Sequence, residues 1–369
     1  MPPWLREHHT AYELGLLEAA ELEADHRAAV ASVLANQQAI GLPILTDGEL
    51  SRRNFQESFG SAVSGYDALP QHYPPPAAYP TPGPAAAAGR PAANRIESGG
   101  GVNGPPIEQR RPVIARLQLV RNVILEEYLR SSSLTDAPVK VTLVGPDRIA
   151  QRFAHEDSTG IYDGLDDFVD HVVAIEQEMI AAVVAAGCRY VQIDEPGYTA
   201  YVDPVWPERM RRRGEDPAEN LGRSIAADNA LRAPFPDVTF AIHICRGGGG
   251  GRGGPGFHRQ GHYDAIAEQL YGELAFDRFL LEYDSEEAGG FESLRYLPKN
   301  KISVLGLVSN HGEVEPPDYL RRRLDEATAH LPIEQVALCP RCGFHNETAE
   351  SKVWGKLARL VELSTEVWG

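Results

Sequence analysis

The sequence predicts one α/β domain of the (β/α)8 class, the TIM barrel. Short apolar segments rich in β-branched residues recur along the chain, and amphipathic segments separate them, as in parallel sheets covered by helices. A length of 369 residues accommodates one such barrel. A doubly wound open sheet is the alternative architecture that the same pattern allows.

The apolar segments predict seven strands, at residues 42–48, 139–145, 190–196, 239–245, 278–284, 302–308 and 335–343. Segments such as DDFVDHVVAIEQEMIAAVVAAG and PDYLRRRLDEATAHL lie between them and have the periodicity of surface helices. A barrel has eight strands, so one strand is missing from this interpretation.

Two segments interrupt the alternation within this single domain, which we assign to residues 1–369. Residues 69–108 are rich in Pro, Ala and Gly, a composition that cannot pack a core, and we predict an excursion over the surface. Residues 246–256, RGGGGGRGGPG, follow a predicted strand. A flexible linker and a lid beside a site at the strand ends are both compatible with this glycine-rich loop.

Charge and composition exclude several classes of protein. The net charge of −17 argues against a nucleic-acid partner, because such binding rests on clustered Lys and Arg. No apolar run approaches about 18 residues, and the N-terminus has no apolar signal core, so we expect a cytoplasmic protein without a membrane span. In a reducing compartment, its four cysteines are more suited to metal binding or chemistry than to disulfides.

Residues capable of chemistry stand at the carboxyl ends of the predicted strands. They are Glu49, Asp194, Glu195, His243, Cys245, Glu282 and Cys342. In a barrel these ends meet at one mouth, and two residues in a His-x-Cys pair share one face of their strand. Two thiolates, an imidazole and a carboxylate form a ligand set that zinc accepts, so the sequence predicts a Zn²⁺ site on the rim.

The strings QIDEP, HICRG, LGLVS and PRCGF occur in this order, together with TDGELSRRNFQESFGSAVSGY. They resemble the catalytic C-terminal domain of cobalamin-independent methionine synthase and its short, single-domain relatives, from about residue 30 to the C-terminus apart from the insertion. The resemblance implies zinc ligands, carboxylates that hold the amino-acid end of homocysteine, and a proton-donating histidine. The ligands would be His243, Cys245, Glu282 and Cys342; the carboxylates would be Glu49 and Asp194; the histidine would be His311.

The chain also departs from that family on the side of the methyl donor. The Gly-Ser-Phe-Pro-like motif of the family's first strand is not found in MPPWLREHHTAYELG, which accounts for the missing strand. Arg152 stands near the position of the folate-stacking tryptophan, and Ala200 replaces a folate-binding glutamate. The folate-grasping N-terminal half of the full-length enzyme has no counterpart here. We therefore expect a methyl donor other than methyltetrahydrofolate polyglutamate.

The predicted activity is zinc-dependent methyl or alkyl transfer to a thiol, with homocysteine or a similar amino thiol as the acceptor. Zinc suits this reaction because a free thiol, with a pKa of about 8.5, is mostly protonated at neutral pH, whereas a metal-bound thiol is deprotonated. A corrinoid protein is one candidate methyl donor. The partners expected are thus small molecules or a methyl-carrying protein, and neither nucleic acid nor a membrane.

Three alternatives remain open at this point. An epoxyalkane–coenzyme M transferase would use Arg246 and Arg252 for the sulfonate, although acids at the mouth would repel that group. A metal-free lyase like uroporphyrinogen decarboxylase would need a basic mouth instead. A closed structural zinc site would combine Cys339 with His243, Cys245 and Cys342. Otherwise, we expect Cys339 and Cys188 to be buried apolar side chains.

Overall fold

The computed structural model describes residues 1–52, 57–67, 111–158, 160–246, 259–285, 288–344 and 349–369. The Pro/Ala/Gly-rich insertion predicted at 69–108 lies outside these residues, as does nearly all of the glycine-rich loop predicted at 246–256. Within the described part of the chain, no helix has the combined length and apolar character needed to cross a membrane.

Helices and strands alternate along most of the chain. The helices are α1 (Pro3–Glu13), α2 (Ala19–Ala39), α3 (Glu57–Gly60), α4 (Val123–Ser132), α5 (Pro146–Gln151), α6 (Leu165–Ala185), α7 (Trp206–Arg212), α8 (Pro217–Arg232), α9 (Asp264–Glu273), α10 (Pro317–Thr328) and α11 (Glu350–Trp368). The strands are β1 (Val63–Tyr66), β2 (Val113–Leu119), β3 (Val141–Val144), β4 (Tyr190–Asp194), β5 (Thr239–Ile244), β6 (Arg278–Glu282), β7 (Ile302–Val308) and β8 (Val336–Pro340).

Strands β3 to β8 form a parallel sheet in which each strand pairs with the next strand along the chain. Apolar side chains pack on both faces of this sheet. The face toward the helices belongs to one large core, whereas Ala241, Leu280 and Val304 form a separate buried cluster on the other face. A parallel sheet with an outer helical layer and its own inner apolar cluster is the architecture of a (β/α)8 barrel, and this confirms the predicted fold class.

The strand predicted at 42–48 is reduced to a single bridge, in which Leu45 pairs in parallel with Val139 beside β3. Two local features explain why it extends no further. The Gln37 side chain binds both the backbone N–H and the carbonyl of Thr46, so these groups are not offered to a neighbouring strand. Pro43 lacks a backbone donor altogether. The prediction of a full strand here is wrong, although its position in the sheet is right.

An antiparallel pair, β1 with β2, was not predicted from the sequence. Its two strands flank the segment 68–110, so the pair closes the chain at the base of the insertion. In β2, Val113 and Leu117 are buried, and the three residues between them are exposed. The strand therefore lacks the period-2 burial by which a strand is recognised from sequence.

Candidate metal centre

The candidate site lies where β4, β5 and β6 end. In the parallel register Asp194 stands beside His243, and His243 stands beside Leu280. Side chains alternate along a strand, so Asp194, His243 and Cys245 project toward the inner face, as does Glu282 at the end of β6. The strand ladder therefore fixes the relative positions of these groups, as the sequence predicts.

Three potential metal ligands converge at this place. The ligand atoms of His243, Cys245 and Cys342 all lie within 4.8 Å of one another, and His243 and Cys245 are buried. Cys342 reaches the other two from the turn after β8. An imidazole and two thiols at such distances match the donor set of a zinc site with three protein ligands. Zinc coordinated by these residues would leave a fourth position for another ligand.

The protonation of these groups reflects their contact. A hydrogen bond with Cys245, followed by burial, raises the pKa of the Cys342 thiol well above its usual range. Burial lowers the pKa of His243, but the nearby Cys245 and Asp194 outweigh burial and raise it to about 9. Without a metal, the cluster therefore holds protons at neutral pH. Binding zinc would release such protons, because thiolate and neutral imidazole are the coordinating forms.

Glu282, the fourth predicted ligand, lies against this group, but its oxygens are not among the atoms within 4.8 Å. One oxygen is 3.1 Å from Nη2 of Arg341, and the other accepts the backbone N–H of Arg246 at 3.0 Å. Burial, together with the charge of Cys245, raises the pKa of this carboxyl to about 7, although Arg341 opposes the rise. The carboxylate of Glu282 is thus bound to Arg341 and to the backbone of Arg246 and lies outside the set of three converging ligands.

The two other cysteines lie elsewhere. The thiol of Cys339 donates to the carbonyl of Val304 at 3.7 Å and packs against the inner apolar cluster, below the mouth. It is not among the three converging ligands, so the geometry gives no support to a closed Cys3His site. Cys188 is 1% exposed and belongs to the main core, which confirms the expectation for that residue.

Glu49 reaches the inner face from a tight turn after the Leu45 bridge. In the described part of the chain, it is the one non-glycine residue with a positive φ, at 53°. The carboxylate of Asp47 accepts its backbone N–H at 2.9 Å and supports this turn. The Glu49 carboxylate in turn accepts the hydroxyl of Thr142 at 2.5 Å and lies 3.4 Å from Nη1 of Arg52. Left-handed backbone is unfavourable for most residues and often occurs at functional sites.

Asp194 belongs to a buried polar chain inside the barrel. Lys140 donates to the amide oxygen of Gln192 at 2.7 Å, and the same amide donates to Asp194 at 2.7 Å. Burial raises the pKa of Asp194 to about 6, with Glu49 adding to the rise and His243 opposing it. The influence of Glu49 and His243 on Asp194 indicates that the two predicted substrate carboxylates and the metal-binding group share one pocket.

His311 lies in the loop after β7 and is exposed. Its Nδ1 is 3.1 Å from both the Ser309 hydroxyl and the Asn310 side-chain oxygen. Asn310 itself is buried and donates to the carbonyl of Gly343, next to Cys342. The loop that carries His311 is therefore attached to the turn that carries a potential metal ligand.

Two further positions from the sequence analysis have a clear structure: Ala200, noted for the donor side, and Arg246, noted for a sulfonate. Ala200 is fully buried at the end of a 3-10 turn, Pro196–Ala200, that follows β4. Arg246 is fully buried, and its guanidinium donates to the carbonyls of Ala288 and Gly261. The guanidinium of Arg246, which a sulfonate would need, is thus already bound to these two backbone carbonyls. Arg252 lies outside the described residues.

Several residues that shape the site were not singled out in the sequence. Arg52 is buried and binds Glu127 through two nitrogens as well as the carbonyl of Thr142. Arg341 binds Glu282 and also Asp284. Arg341 lies inside CPRC, between two cysteines, which was a usable signal. Nothing local in the sequence marks the contacts of Arg52 with Glu127 and Thr142, because these partners are 75 and 90 residues away.

Known proteins are similar to this chain in sequence and in fold. No family model matches the chain. The protein YxjH of Bacillus subtilis (strain 168) is 27% identical over 364 residues, which is 96% of this chain and 88% of that protein. Methionine synthase of Saccharolobus solfataricus is 23% identical over 366 residues, 98% of this chain and 90% of that enzyme.

A solved structure with the same fold is the putative vitamin-B12 independent methionine synthase from Listeria monocytogenes. It superimposes with a TM-score of 0.72 at 22% identity and covers 99% of this chain and 94% of that one. Sequence and structure agree over almost the full length of each partner. Over almost its full length the chain is similar to cobalamin-independent methionine synthases, and it is a methionine synthase-like methyltransferase.

Proposed function

We propose that this methyltransferase binds zinc through His243, Cys245 and Cys342 and transfers a methyl group to an amino thiol, with homocysteine as the simplest acceptor. The observation that carries the proposal is the convergence of these three ligand atoms within 4.8 Å. The methionine synthase of S. solfataricus, similar along 98% of this chain, supports the same class of reaction.

When bound at the three residues, zinc would supply Lewis acidity that keeps a coordinated substrate thiol deprotonated at neutral pH. Glu282 would serve as a fourth ligand when no thiol is bound. Arg341 and the backbone N–H of Arg246 hold its carboxylate nearby and can receive it again when a thiol arrives. A carboxylate that alternates between a metal and a guanidinium remains paired in both states, which limits the cost of its burial.

Glu49 and Asp194 are the proposed contacts for the ammonium group of the acceptor. Both carboxylates face the inner pocket, and each is held in place by its own hydrogen bond. Thr142 orients Glu49, and Gln192 orients Asp194. An acceptor bound in this way would present its sulfur toward the three ligands, because Asp194 stands beside His243 in the sheet register.

Transfer then requires one bond to form and one to break. The acceptor sulfur attacks the methyl carbon of the donor, the new S–C bond forms, and the electron pair of the breaking bond leaves with the donor. The leaving group takes up a proton if it is basic, and His311 is the proposed source. Its position on the loop joined to Gly343 through Asn310 supports this assignment.

The proposed donor is not a methyltetrahydrofolate polyglutamate. Arg152 in place of an aromatic side chain removes a stacking contact, which is worth about 0.5–1.5 kcal/mol beyond area burial. Ala200 cannot accept a hydrogen bond from a ring nitrogen, and leaving a polar group unpaired costs about 1–3 kcal/mol. Together these changes weaken binding by roughly one to three powers of ten.

Metal analysis of the purified protein tests the zinc site. We expect about one zinc per chain in protein isolated without chelators, and loss of this zinc in Cys245→Ser and Cys342→Ser. Cys339→Ser is the matched control, since Cys339 lies outside the converging group and should keep its zinc. Zinc-free wild-type protein, or zinc lost with Cys339 alone, would overturn the assignment.

Product analysis by mass spectrometry tests the reaction. Zinc-loaded protein is offered homocysteine or coenzyme M, each with methylcobalamin, methyltetrahydrofolate and an epoxide in turn. We expect methionine from homocysteine with a donor other than the folate. Alkylated coenzyme M as the single product would replace the proposed acceptor.

A further inference from the structure

One buried arginine is not used by the chemistry above. Arg148 lies in the first turn of α5, directly after β3, and is 7% exposed. Its Nε and Nη1 have no hydrogen-bond partner among the described residues. Two unused donors on a buried guanidinium are costly, because a buried polar group without a partner loses its hydration and gains nothing in return.

Arg148 has two cationic neighbours, Arg259 and Arg152. The charges that act on it most strongly are those of Arg259 and Arg152, followed by the acids Glu195 and Asp147. Burial and these two arginines lower the pKa of Arg148 to about 9. The two acids compensate little, because burial raises the pKa of each and favours its neutral form. Of the charges around Arg148, the two guanidiniums thus act on it more strongly than the two acids do.

Arg259 connects this group to the metal centre. Its guanidinium donates to the carbonyl of Pro196 and lies 3.3 Å from the hydroxyl of Thr199. The same hydroxyl donates to the carbonyl of Cys245 at 3.0 Å. The loops after β3, β4 and β5 thus meet here, within reach of one of the three proposed ligands. Glu49 and Asp194, the proposed acceptor contacts, are not among the charges that act most strongly on Arg148.

We propose that Arg148, supported by Arg259, forms a subsite that binds an oxyanion of the methyl donor, either a carboxylate, a phosphate or a sulfonate. The inference rests on the proposed function, since it assigns the bound oxyanion to the methyl donor. A guanidinium that presents two N–H groups is well suited to an oxyanion, which accepts both at once. The Nε and Nη1 groups of Arg148, which have no partner among the described residues, would donate to this oxyanion.

Anion binding can be measured without any turnover. Inorganic sulfate is titrated calorimetrically into wild-type protein, Arg148→Gln, Arg148→Lys and Arg116→Gln at constant ionic strength. Arg116 is the matched control, because its guanidinium is exposed and pairs with Asp167. We expect Arg148→Gln to weaken sulfate binding at least about tenfold, Arg148→Lys to weaken it less, and Arg116→Gln to leave it unchanged. Sulfate binding that is absent from the wild type, or equal in Arg148→Gln, would overturn the proposal.

Two further measurements separate this subsite from a structural role and from the acceptor site. Arg148→Met should have an unchanged or higher melting temperature, since it replaces an unpaired buried charge with an apolar side chain of similar volume. A marked loss of stability in this variant, with sulfate binding intact, would overturn the proposal. Sulfate should also bind to protein saturated with homocysteine. Competition between the two would assign the oxyanion to the acceptor instead. Zinc content, measured in parallel, reports separately on the proposed metal site.

Discussion

The chain buries acidic side chains on both faces of its parallel sheet, and the two groups differ in their surroundings. At the mouth, Glu49, Asp194 and Glu282 each have a cation or a side-chain donor close by. The rear carboxyl cluster lies among the helices and consists of Asp147, Glu176, Glu195 and Asp228. Neither oxygen of Glu176 has a hydrogen-bond partner among the described residues, and Asp228 has one on a single oxygen, the hydroxyl of Tyr198.

The difference begins with two consecutive residues. Asp194 faces the inner pocket beside His243, whereas Glu195 points to the opposite face and accepts the backbone N–H of Arg148 at 3.0 Å. Gly145 makes room for it, because a Cβ at that position would collide with the Glu195 carboxylate. Burial raises the pKa of Glu195 well above its usual range, and the neighbouring Asp228 adds to the rise. Asp194 therefore faces the mouth of the barrel, whereas its neighbour Glu195 packs on the other side of the sheet.

The largest expected effect separates these two neighbours. Asp194→Asn should raise the Kd for homocysteine roughly 10- to 100-fold, because it removes a hydrogen bond between charged groups, worth about 1.5–3 kcal/mol. Glu195→Gln is the matched control and should change that Kd less than about twofold. Calorimetric titration of zinc-loaded protein measures both. Equal effects of the two variants would show that the faces are not functionally distinct.

The second effect concerns the metal. Glu282→Gln should lower zinc affinity at least about tenfold, since changes even beyond the direct ligands commonly cost 10- to 100-fold. Competition with a chromogenic chelator gives the affinity. Glu176→Gln makes the same substitution at an equally buried position of the rear cluster and should leave zinc affinity unchanged. An unaltered affinity in Glu282→Gln would remove that residue from the metal site.

The smallest effect is on stability and depends on pH. Burial raises the pKa of Glu176 well above its usual range, and Asp228 adds to the rise. Above the pKa of the unfolded chain, the unfolded state releases a proton that the folded state retains, so this group costs stability as pH rises. Glu176→Gln should therefore stabilise the fold by on the order of 1 kcal/mol at pH 8 and have little effect near pH 4.5.

Unfolding by urea at both pH values measures this change. Glu313→Gln, at a fully exposed carboxylate paired with Lys352, provides the surface comparison. A stabilisation that is larger at pH 4.5 than at pH 8 would contradict the stated direction and imply that Glu176 is charged in the folded protein.

Much of the fold and of the candidate site could be predicted from the alternation of side chains along the strands. The strands β3 to β8 and the convergence of His243, Cys245 and Cys342 follow from apolar runs and from the rule that parallel strands end at one mouth. Sequence alone did not separate Asp194 from Glu195, although their adjacency implies opposite faces. It also could not give the partner of Glu282, because the ion pair with Arg341 depends on how the turn after β8 approaches β6.

Contacts between residues far apart in the sequence also could not be predicted. Leu45 was assigned to a complete strand, but Gln37 on α2 satisfies the backbone of Thr46 instead. The unused donors of Arg148 are likewise invisible in the string GPDRIAQRF. Such features depend on which side chain of a distant element lies nearby, and the local sequence pattern does not contain that information.

The left-handed backbone of Glu49 has a consequence for protein engineering. For a residue with a Cβ, this conformation costs about 1–2 kcal/mol, which Gly would recover and Asn would partly recover. A library selected for thermal stability alone should therefore enrich Glu49→Gly and Glu49→Asn, and with them lose the carboxylate that faces the proposed substrate. Screens for hardier variants of this enzyme need a binding or turnover assay in every round, or they will drift toward well-folded proteins that no longer hold the acceptor.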